Sequence, residues 1–308
     1  VIIDNKIVEG PSFQLRRTPG PNPEIVNSNV RDNIVLEIGT PRRLRNLNGI
    51  VLSLLTGGGG NENYFHWLYD VLPRIGICSK LVGLSEIDFF LLPNLSKKFQ
   101  NETLDCLNIP KHKRLSSEKY RHIKAKELIV TDHPVVVTGN STRDIQNIPN
   151  WIMLWLKKNF NDQKITNNKN IKNKIYIERD SENFKNISLR SVSNENEVKR
   201  YLLKNNFISI KLGEIKFSEQ VDLFYNADCI VGLHGAGFAN LVFCKPGTKV
   251  IELRSPDAGC VIANLAKKNN LNHSSIIAEA KHSRRNNFPN QQGHIQIPIS
   301  SLAKILEN

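Results

Sequence analysis

Asn226 to Leu253 reads NADCIVGLHGAGFANLVFCKPGTKVIEL, and the order of residue types spells strand, glycine loop, helix, turn, strand. Cys229–Leu233 is a short apolar run suited to a buried strand. His234-Gly235-Ala236-Gly237 follows at once. Phe238–Phe243 fits a short helix, Lys245-Pro246-Gly247-Thr248 stops it, and Val250–Leu253 makes the next strand. A glycine loop running into a helix N-terminus presents free backbone N–H groups and the positive end of a dipole. Glycine also lets the backbone approach an anion with no Cβ in the way. The stretch therefore predicts a cradle for a phosphate or diphosphate. It lacks the full G-x-G-x-x-G spacing and the G-K-[ST] of a P-loop, so a tight turn that needs glycine only for packing is the competing reading.

The same alternation continues on both sides. Lys174–Glu178 and Phe207–Leu212 read as strands; Asn194–Asn205, Ser218–Ala227 and Cys260–Lys268 read as helices. His273–Ile277 is a further strand and Ile299–Leu306 a closing helix, with a loop over Arg284–Gly293. In a parallel α/β sheet the strand ends gather at one edge, where such folds bind ligands. Arg179, Gly213-Glu214, His234 and Glu252 fall at four such ends. An arginine fits a diphosphate bidentately, and an acidic residue at a strand end suits the hydroxyls of a ribose. Together these placements describe a nucleotide-diphosphate pocket.

Towards the N-terminus, Asn33–Ile38, Gly49–Leu55, Asp88–Leu92, Lys126–Val130 and Val135–Thr138 read as strands, and Ser96–Leu107 and Ile148–Phe160 as helices. Four glycines, Gly57–Gly60, precede NENYFHWLYDVLPRI (Asn61–Ile75). Asn63 is a candidate helix cap, and Phe65, Leu68, Leu72 and Ile75 share one face at helical spacing. His66 and Asp70, four apart, share another face and suit acid–base work; a surface His–Asp pair is the alternative. A polar Lys/Asn-rich stretch, Asn161–Asn173, marks a domain boundary.

The chain has 308 residues and a formal charge of +13, from 42 Lys plus Arg against 29 Asp plus Glu. That balance favours an anionic partner without choosing among nucleotides, acidic glycans, membrane surfaces and nucleic acid. The 5 cysteines are odd in number and form no C-x-x-C, which points to a reducing compartment and no disulfide framework. No run is long enough to span a bilayer, and no secretory leader is visible. The chain begins at Val1, the pattern of a piece cut from something longer, so an anchor or extra domain outside it stays open. There is no D-x-D, H-E-x-x-H or zinc-spaced Cys/His cluster, so no metal is expected; the missing G-x-S-x-G argues against an α/β-hydrolase.

Three blocks carry a family resemblance: N-Y-F-H-W-L-x-D-x-L-P-R at Asn63–Arg74; I-Y-I-x-R with a later R-x-x-x-N-E, giving Arg179, Arg190, Asn194 and Glu195; and G-x-H-G-A-G-x-x-N-L-x-F-C-x-P-G-T-x-V-I-E-L at Gly232–Leu253. In these the chain resembles the glycosyltransferases of family 61, which include plant xylosyltransferases, secretory O-GlcNAc transferases and bacterial capsule enzymes, the bacterial type being most similar. The resemblance implies a GT-B-like α/β fold, with two Rossmann-like domains facing across a cleft. Residues 1–160 would be the acceptor-side domain, 170–285 the nucleotide-sugar domain, and 286–308 a loop and closing helix. It implies inverting, metal-independent transfer from a nucleotide-diphosphate sugar, a UDP-sugar favoured, to an oligo- or polysaccharide in capsule or surface glycan synthesis. Cofactors are then none. Nucleic acid is not an expected partner, and the place is the cytoplasm, with peripheral association at the inner face of the membrane compatible. Arg179, Arg190, His234, Gly235, Ala236, Gly237 and Asn240 would serve the donor diphosphate and Glu252 its ribose. Asp70 is the first candidate for the base and His66 the second, or the two act as a pair. The rival reading is a nucleotide- or nucleic-acid-binding module without transfer activity, which should show a basic stripe with interleaved aromatics; the lysines here are scattered. A dinucleotide-dependent sugar-modifying enzyme lacks its glycine fingerprint.

Overall fold

A computed structural model describes residues 2–3, 6–8, 14–17, 25–28, 42–56, 62–161, 173–179, 190–281 and 293–307. The expected strand at Asn33–Ile38, the four glycines, most of the Lys/Asn-rich stretch and most of the Arg284–Gly293 loop lie outside the described residues. The chain divides into two compact units, Val1–Asn159 and Phe160–Asn308. The fold is mixed α/β, and each unit carries a parallel sheet. Among the described residues no helix is long and apolar enough to cross a membrane.

In the first unit, short antiparallel pairs β1 (Ile2–Ile3) with β2 (Lys6–Ile7) and β3 (Gln14–Arg17) with β4 (Ile25–Ser28) precede the sheet. Its strands are β5 (Arg45–Ser53), β6 (Phe89–Leu92), β7 (Arg114–Ser116) and β8 (Ile123–Val130), in the order β7-β6-β5-β8, all parallel. The chain thus steps outward from β5 and then returns to lay β8 on its other side. Val51, Leu91 and Leu115 form a buried cluster on this sheet. Helices α1 (Tyr64–His66), α2 (Pro73–Cys78), α3 (Lys98–Cys106), α4 (Ser141–Asp144) and α5 (Asn150–Phe160) complete the order.

Asn63 caps α1, its Oδ1 accepting the Phe65 N–H at 2.9 Å. Between α1 and α2 the backbone widens into a π-helix over Trp67–Val71, closed by Leu72 N–H donating to the Trp67 carbonyl at 3.0 Å. The cause is next in sequence: Pro73 has no N–H to give, and its ring crowds the carbonyl four residues back. The amphipathic face expected here becomes an almost wholly buried segment, with Trp67, Leu68, Tyr69, Val71 and Leu72 all at 0% exposure.

Val135–Thr138, expected as a strand, is an irregular turn. Pro134 interrupts the ladder, and the Asp144 carboxylate takes the amides of Val137 (3.0 Å) and Thr138 (2.9 Å) that a neighbouring strand would need.

The second unit builds a sheet from β9 (Asn173–Glu178), β11 (Phe207–Lys211), β12 (Ala227–Leu233), β13 (Lys249–Arg254) and β14 (Asn272–Ile277), all parallel, in the order β11-β9-β12-β13-β14. Helices α6 (Glu195–Lys204), α7 (Phe217–Tyr225) and α8 (Val261–Lys268) connect it. A smaller sheet joins β10 (Arg190–Val192), parallel, to β16 (Gly293–Ile295), with β15 (Ala280–Lys281) antiparallel on its far side. Val198, Leu202, Val231, Ile251, Leu253 and Leu302 share one core cluster, which anchors α9 (Ile299–Glu307). Asn194 holds the approach to α9, accepting from Ile297 N–H and donating to its carbonyl, each at 2.9 Å.

The helix expected at Phe238–Phe243 is a 3-10 helix that begins earlier, at Ala236. Phe238 to Phe243 are all buried. The tight winding fits a segment with no polar face that must lie close to the sheet. A Cβ at Gly237 would meet Ile177 Cγ2 at 3.1 Å and Leu212 Cδ1 at 3.2 Å.

In the first unit, Gly76 of α2 sits against the Trp155 indole, where an added Cβ would lie 2.7 Å from Nε1. Overpacking of this kind costs about 1–3 kcal/mol, against a helix-propensity gain of ~1 kcal/mol for alanine. Gly76→Ala is expected to lower the urea midpoint; a raised midpoint would show that the indole yields.

Candidate functional site

In the second unit the chain runs from β9 to β11 on one side, then crosses to β12 on the other. The carboxyl ends of β9 and β12 therefore flank a topological switch point, the position where open α/β sheets leave a crevice. Arg179 is the residue after β9, and His234-Gly235 follow β12. The sequence-expected residues Arg179, His234, Gly235, Ala236 and Gly237 thus gather here because neighbouring strands end here.

The backbone supplies donors. The amides of Gly235, Ala236 and Gly237 have no acceptor among the described residues, as expected at a helix start. A Cβ at Gly235 would meet only the Leu233 carbonyl, at 3.7 Å, so the space there is open. Of the two loop glycines, then, Gly237 serves packing and Gly235 faces room.

Arginines supply the charge. Arg190, on β10, donates from Nη1 to the His234 carbonyl at 3.1 Å. Burial, and then the neighbouring charge of Arg179, lower the Arg190 guanidinium to about 10, with Glu252 acting the other way. Burial also lowers Arg179, opposed by the charge of Glu195. Both remain cationic at neutral pH, half-buried and close enough to repel. A dianion beside them removes that repulsion and replaces lost hydration with charge-assisted hydrogen bonds.

Two expected ligand contacts have other work. Glu252, assigned to a ribose from sequence, is fully buried. Its Oε1 pairs with His234 Nδ1 and its Oε2 with His273 Nε2 at 2.9 Å, so both oxygens are taken. Burial alone would raise this carboxyl, but hydrogen bonds and charge from the two histidines hold it down at about 2. Asn240 is likewise fully buried. It donates to Gln220 Oε1 at 3.0 Å, and Gln220 donates to the Leu212 carbonyl at 2.9 Å. That relay fixes the loop after β11 rather than meeting a ligand. His273 falls inside an expected strand, and nothing in local sequence couples it to Glu252, 21 residues away.

The first unit has its own switch point, between β5 and β8. The π-helix carrying Asp70 meets there the residues after β8, through Arg74. Arg74 is 2% exposed. Its Nη2 pairs with Asp70 Oδ1 at 3.1 Å and contacts His133 Nδ1 at 3.2 Å, Nη1 donates to the Thr131 carbonyl at 3.3 Å, and Nε donates to the Asp70 carbonyl at 3.0 Å. In the sequence Asp70 and His66 stand out by their spacing, Arg74 only as the last residue of a motif block, and His133 not at all. Burial lowers the His66 pKa, opposed by the charge of Asp70, so the imidazole is neutral at neutral pH. Among the described residues no hydrogen bond joins His66 to Asp70. Nor does any group of three or more His, Cys, Asp and Glu side chains there form a metal site.

Comparison with known proteins bears on both loci. Residues 64–251 match the family described as Glycosyltransferase 61, a span that takes in His66, Asp70, Arg74, Arg179, Arg190 and His234–Gly237 and stops short of Glu252 and His273. An EGF domain-specific O-linked N-acetylglucosamine transferase of Gallus gallus is 29% identical over 110 residues, covering 34% of this chain and 20% of that protein. The chain therefore spans about a fifth of the length of this curated relative.

The Glu252 arrangement has a measurable acid signature. Its carboxyl is held at about 2 against an ordinary 4.5, so its stabilisation is complete above 4.5 and is lost as pH falls from there through about 2. The contribution is on the order of 3 kcal/mol by linkage. Urea midpoints followed across that window are expected to fall in the wild type and to flatten in Glu252→Gln; parallel slopes would remove Glu252 as their source.

Proposed function

The chain belongs to glycosyltransferase family 61, and from that premise we propose that it transfers a sugar, with inversion, from a nucleotide-diphosphate donor to a glycan hydroxyl. The observation that carries the reading is the pair of half-buried guanidiniums, Arg179 and Arg190, beside the open amides of Gly235–Gly237 at a sheet switch point. That arrangement suits the diphosphate of a nucleotide sugar. The uridine nucleotides are the favoured donor class, and the name of the avian relative makes UDP-N-acetylglucosamine the first sugar to try. A glycan of capsule or surface-polysaccharide type is the acceptor class, and the cytoplasmic face of a membrane is the corresponding place. In the GT-B arrangement proposed here, the second unit holds the donor and the first presents the acceptor. No metal is required in this scheme, since arginines and amides carry the phosphate charge.

Inverting transfer is one displacement. A base removes the acceptor hydroxyl proton, the oxygen attacks the anomeric carbon, and the bond from that carbon to the phosphate oxygen breaks. The nucleoside diphosphate departs with the electron pair, held by the two arginines and the loop amides. We assign the base to His66 ahead of Asp70. Asp70 Oδ1 is already engaged by a buried arginine, whereas burial lowers the His66 pKa and leaves the imidazole able to take a proton.

His66→Gln is expected to cut turnover about 10²–10⁴-fold with donor affinity little changed. The acid limb of kcat/KM should lie below 6.5, the ordinary imidazole value, because burial lowers His66. Turnover near wild type would return the base role to Asp70. Arg179→Ala should weaken UDP binding about 10–100-fold, the worth of charge-assisted hydrogen bonds. Calorimetry with UDP, GDP, CDP, CMP and NAD⁺ tests the donor class; a folded protein that binds none of them sinks the reading.

A further inference from the structure

Burying a carboxylate is costly unless its lone pairs are met by donors. Glu252 meets the condition with two imidazoles, His234 on Oε1 and His273 on Oε2. An ionised carboxylate only accepts, so His234 Nδ1 and His273 Nε2 each carry a hydrogen. His234 is thereby fixed in one tautomer, and Nε2, on the other side of its ring, is left for a ligand. Among the described residues Nε2 has no partner. The backbone of His234 is held as well, its carbonyl by Arg190 at 3.1 Å and its N–H by the Leu253 carbonyl at 2.8 Å. This is tighter fixing than a strand-to-helix turn requires.

Glu252 from β13 pairs with the ring itself, His273 from β14 shares that carboxylate, Arg190 from β10 holds the His234 carbonyl, and Arg179 after β9 acts electrostatically on Arg190. A diphosphate bound at the arginines brings a second anion to the same strand ends, and an anion at Nε2 favours the doubly protonated ring. We infer that Glu252 and His273 are positioning residues that make His234 take up a proton when a nucleoside diphosphate binds, so that Nε2–H donates to a phosphate oxygen. His273 occupies Oε2 and so keeps Oε1 aligned with His234. The proton comes from solvent on binding and returns to it on release, and in between it offsets charge that develops on the leaving diphosphate. The inference rests on the diphosphate reading above, and it gives Glu252 a role other than holding ribose.

Nitrogen-15 NMR of histidine-labelled protein tests it, with the His234 signals assigned among the 8 histidines by His234→Gln. In the free protein at neutral pH, His234 should carry hydrogen on Nδ1 and not on Nε2. At saturating UDP both nitrogens should be protonated, and calorimetry in two buffers of different ionisation enthalpy should show uptake approaching one proton per nucleotide. In Glu252→Gln the amide offers one acceptor and one donor, so it cannot accept from both rings. That variant should lose the uptake and bind UDP about 10–100-fold more weakly. His273→Gln, whose amide still donates to Oε2, should keep the uptake, and His273→Leu should lose most of it. If the variants fail to fold, the wild-type spectra still decide. A hydrogen on Nε2 in the free protein, or a neutral His234 at saturating UDP, overturns the inference. Absence of UDP binding overturns the transferase reading and the coupled uptake together, while the free-protein tautomer reports separately on whether Glu252 positions His234.

Discussion

Strands β9 and β12 lie side by side in parallel, although β10, α6, β11 and α7 intervene between them in the chain. The proposed donor site depends on that adjacency. It brings Arg179 from one strand end next to His234 and Gly235 from the other, and the crossovers on opposite sides leave a crevice there. The apolar runs that make both strands supply the interior: Tyr176, Ile230 and Val231 are almost wholly buried. Chemistry at the edge is thus a consequence of packing in the middle. The loop residues need no structure of their own beyond the turn that Gly237 permits by lying against Ile177 and Leu212.

Each unit also buries charge next to its strand ends, and the two do it with opposite signs. In the second, a carboxylate is enclosed by two imidazoles; in the first, a guanidinium is enclosed by Asp70, His133 and the carbonyls of Asp70 and Thr131. Removing one partner of such a group leaves an uncompensated charge, which costs far more than the pair contributes. These clusters are therefore poor places for drift and good places for fixing geometry. Glu252 ties together β12, β13 and β14, and Arg74 ties the π-helix to the segment after β8. The π-helix has a local origin in Pro73, yet its effect is to set Asp70 where Arg74 can reach both its backbone and its side chain.

Much of this was legible in order of residues. The alternation of apolar runs with amphipathic stretches marked β5, β6, β9, β11, β12, β13 and β14 and most of the helices between them, because burial on both faces demands such runs. Asn63 was readable as a cap. Residues that follow strands, such as Arg179 and His234, were readable as edge residues once the strands were parallel. The short strands β10, β15 and β16 were not, since two or three residues carry no period. Val135–Thr138 misled because β-branched residues suit strands, while Pro134 and the distant Asp144 carboxylate decided otherwise.

By itself, then, the sequence determined the alternating α/β order, the glycine loop after β12, the residues at the strand ends and the three blocks that carry the family resemblance. Tertiary structure decided what the polar residues do. Glu252 is separated from its two histidines by 18 and 21 residues, and Arg74 from His133 by 59. Such pairings follow from strand order and register, which no local pattern encodes. Whether a carboxylate at a strand end faces a ligand or is spent on two imidazoles depends on which neighbours the sheet brings to it. That is why Glu252 and Asn240 turned out to be internal fastenings, and why His133, His273 and the partners of Arg74 emerged only once the strands were in place.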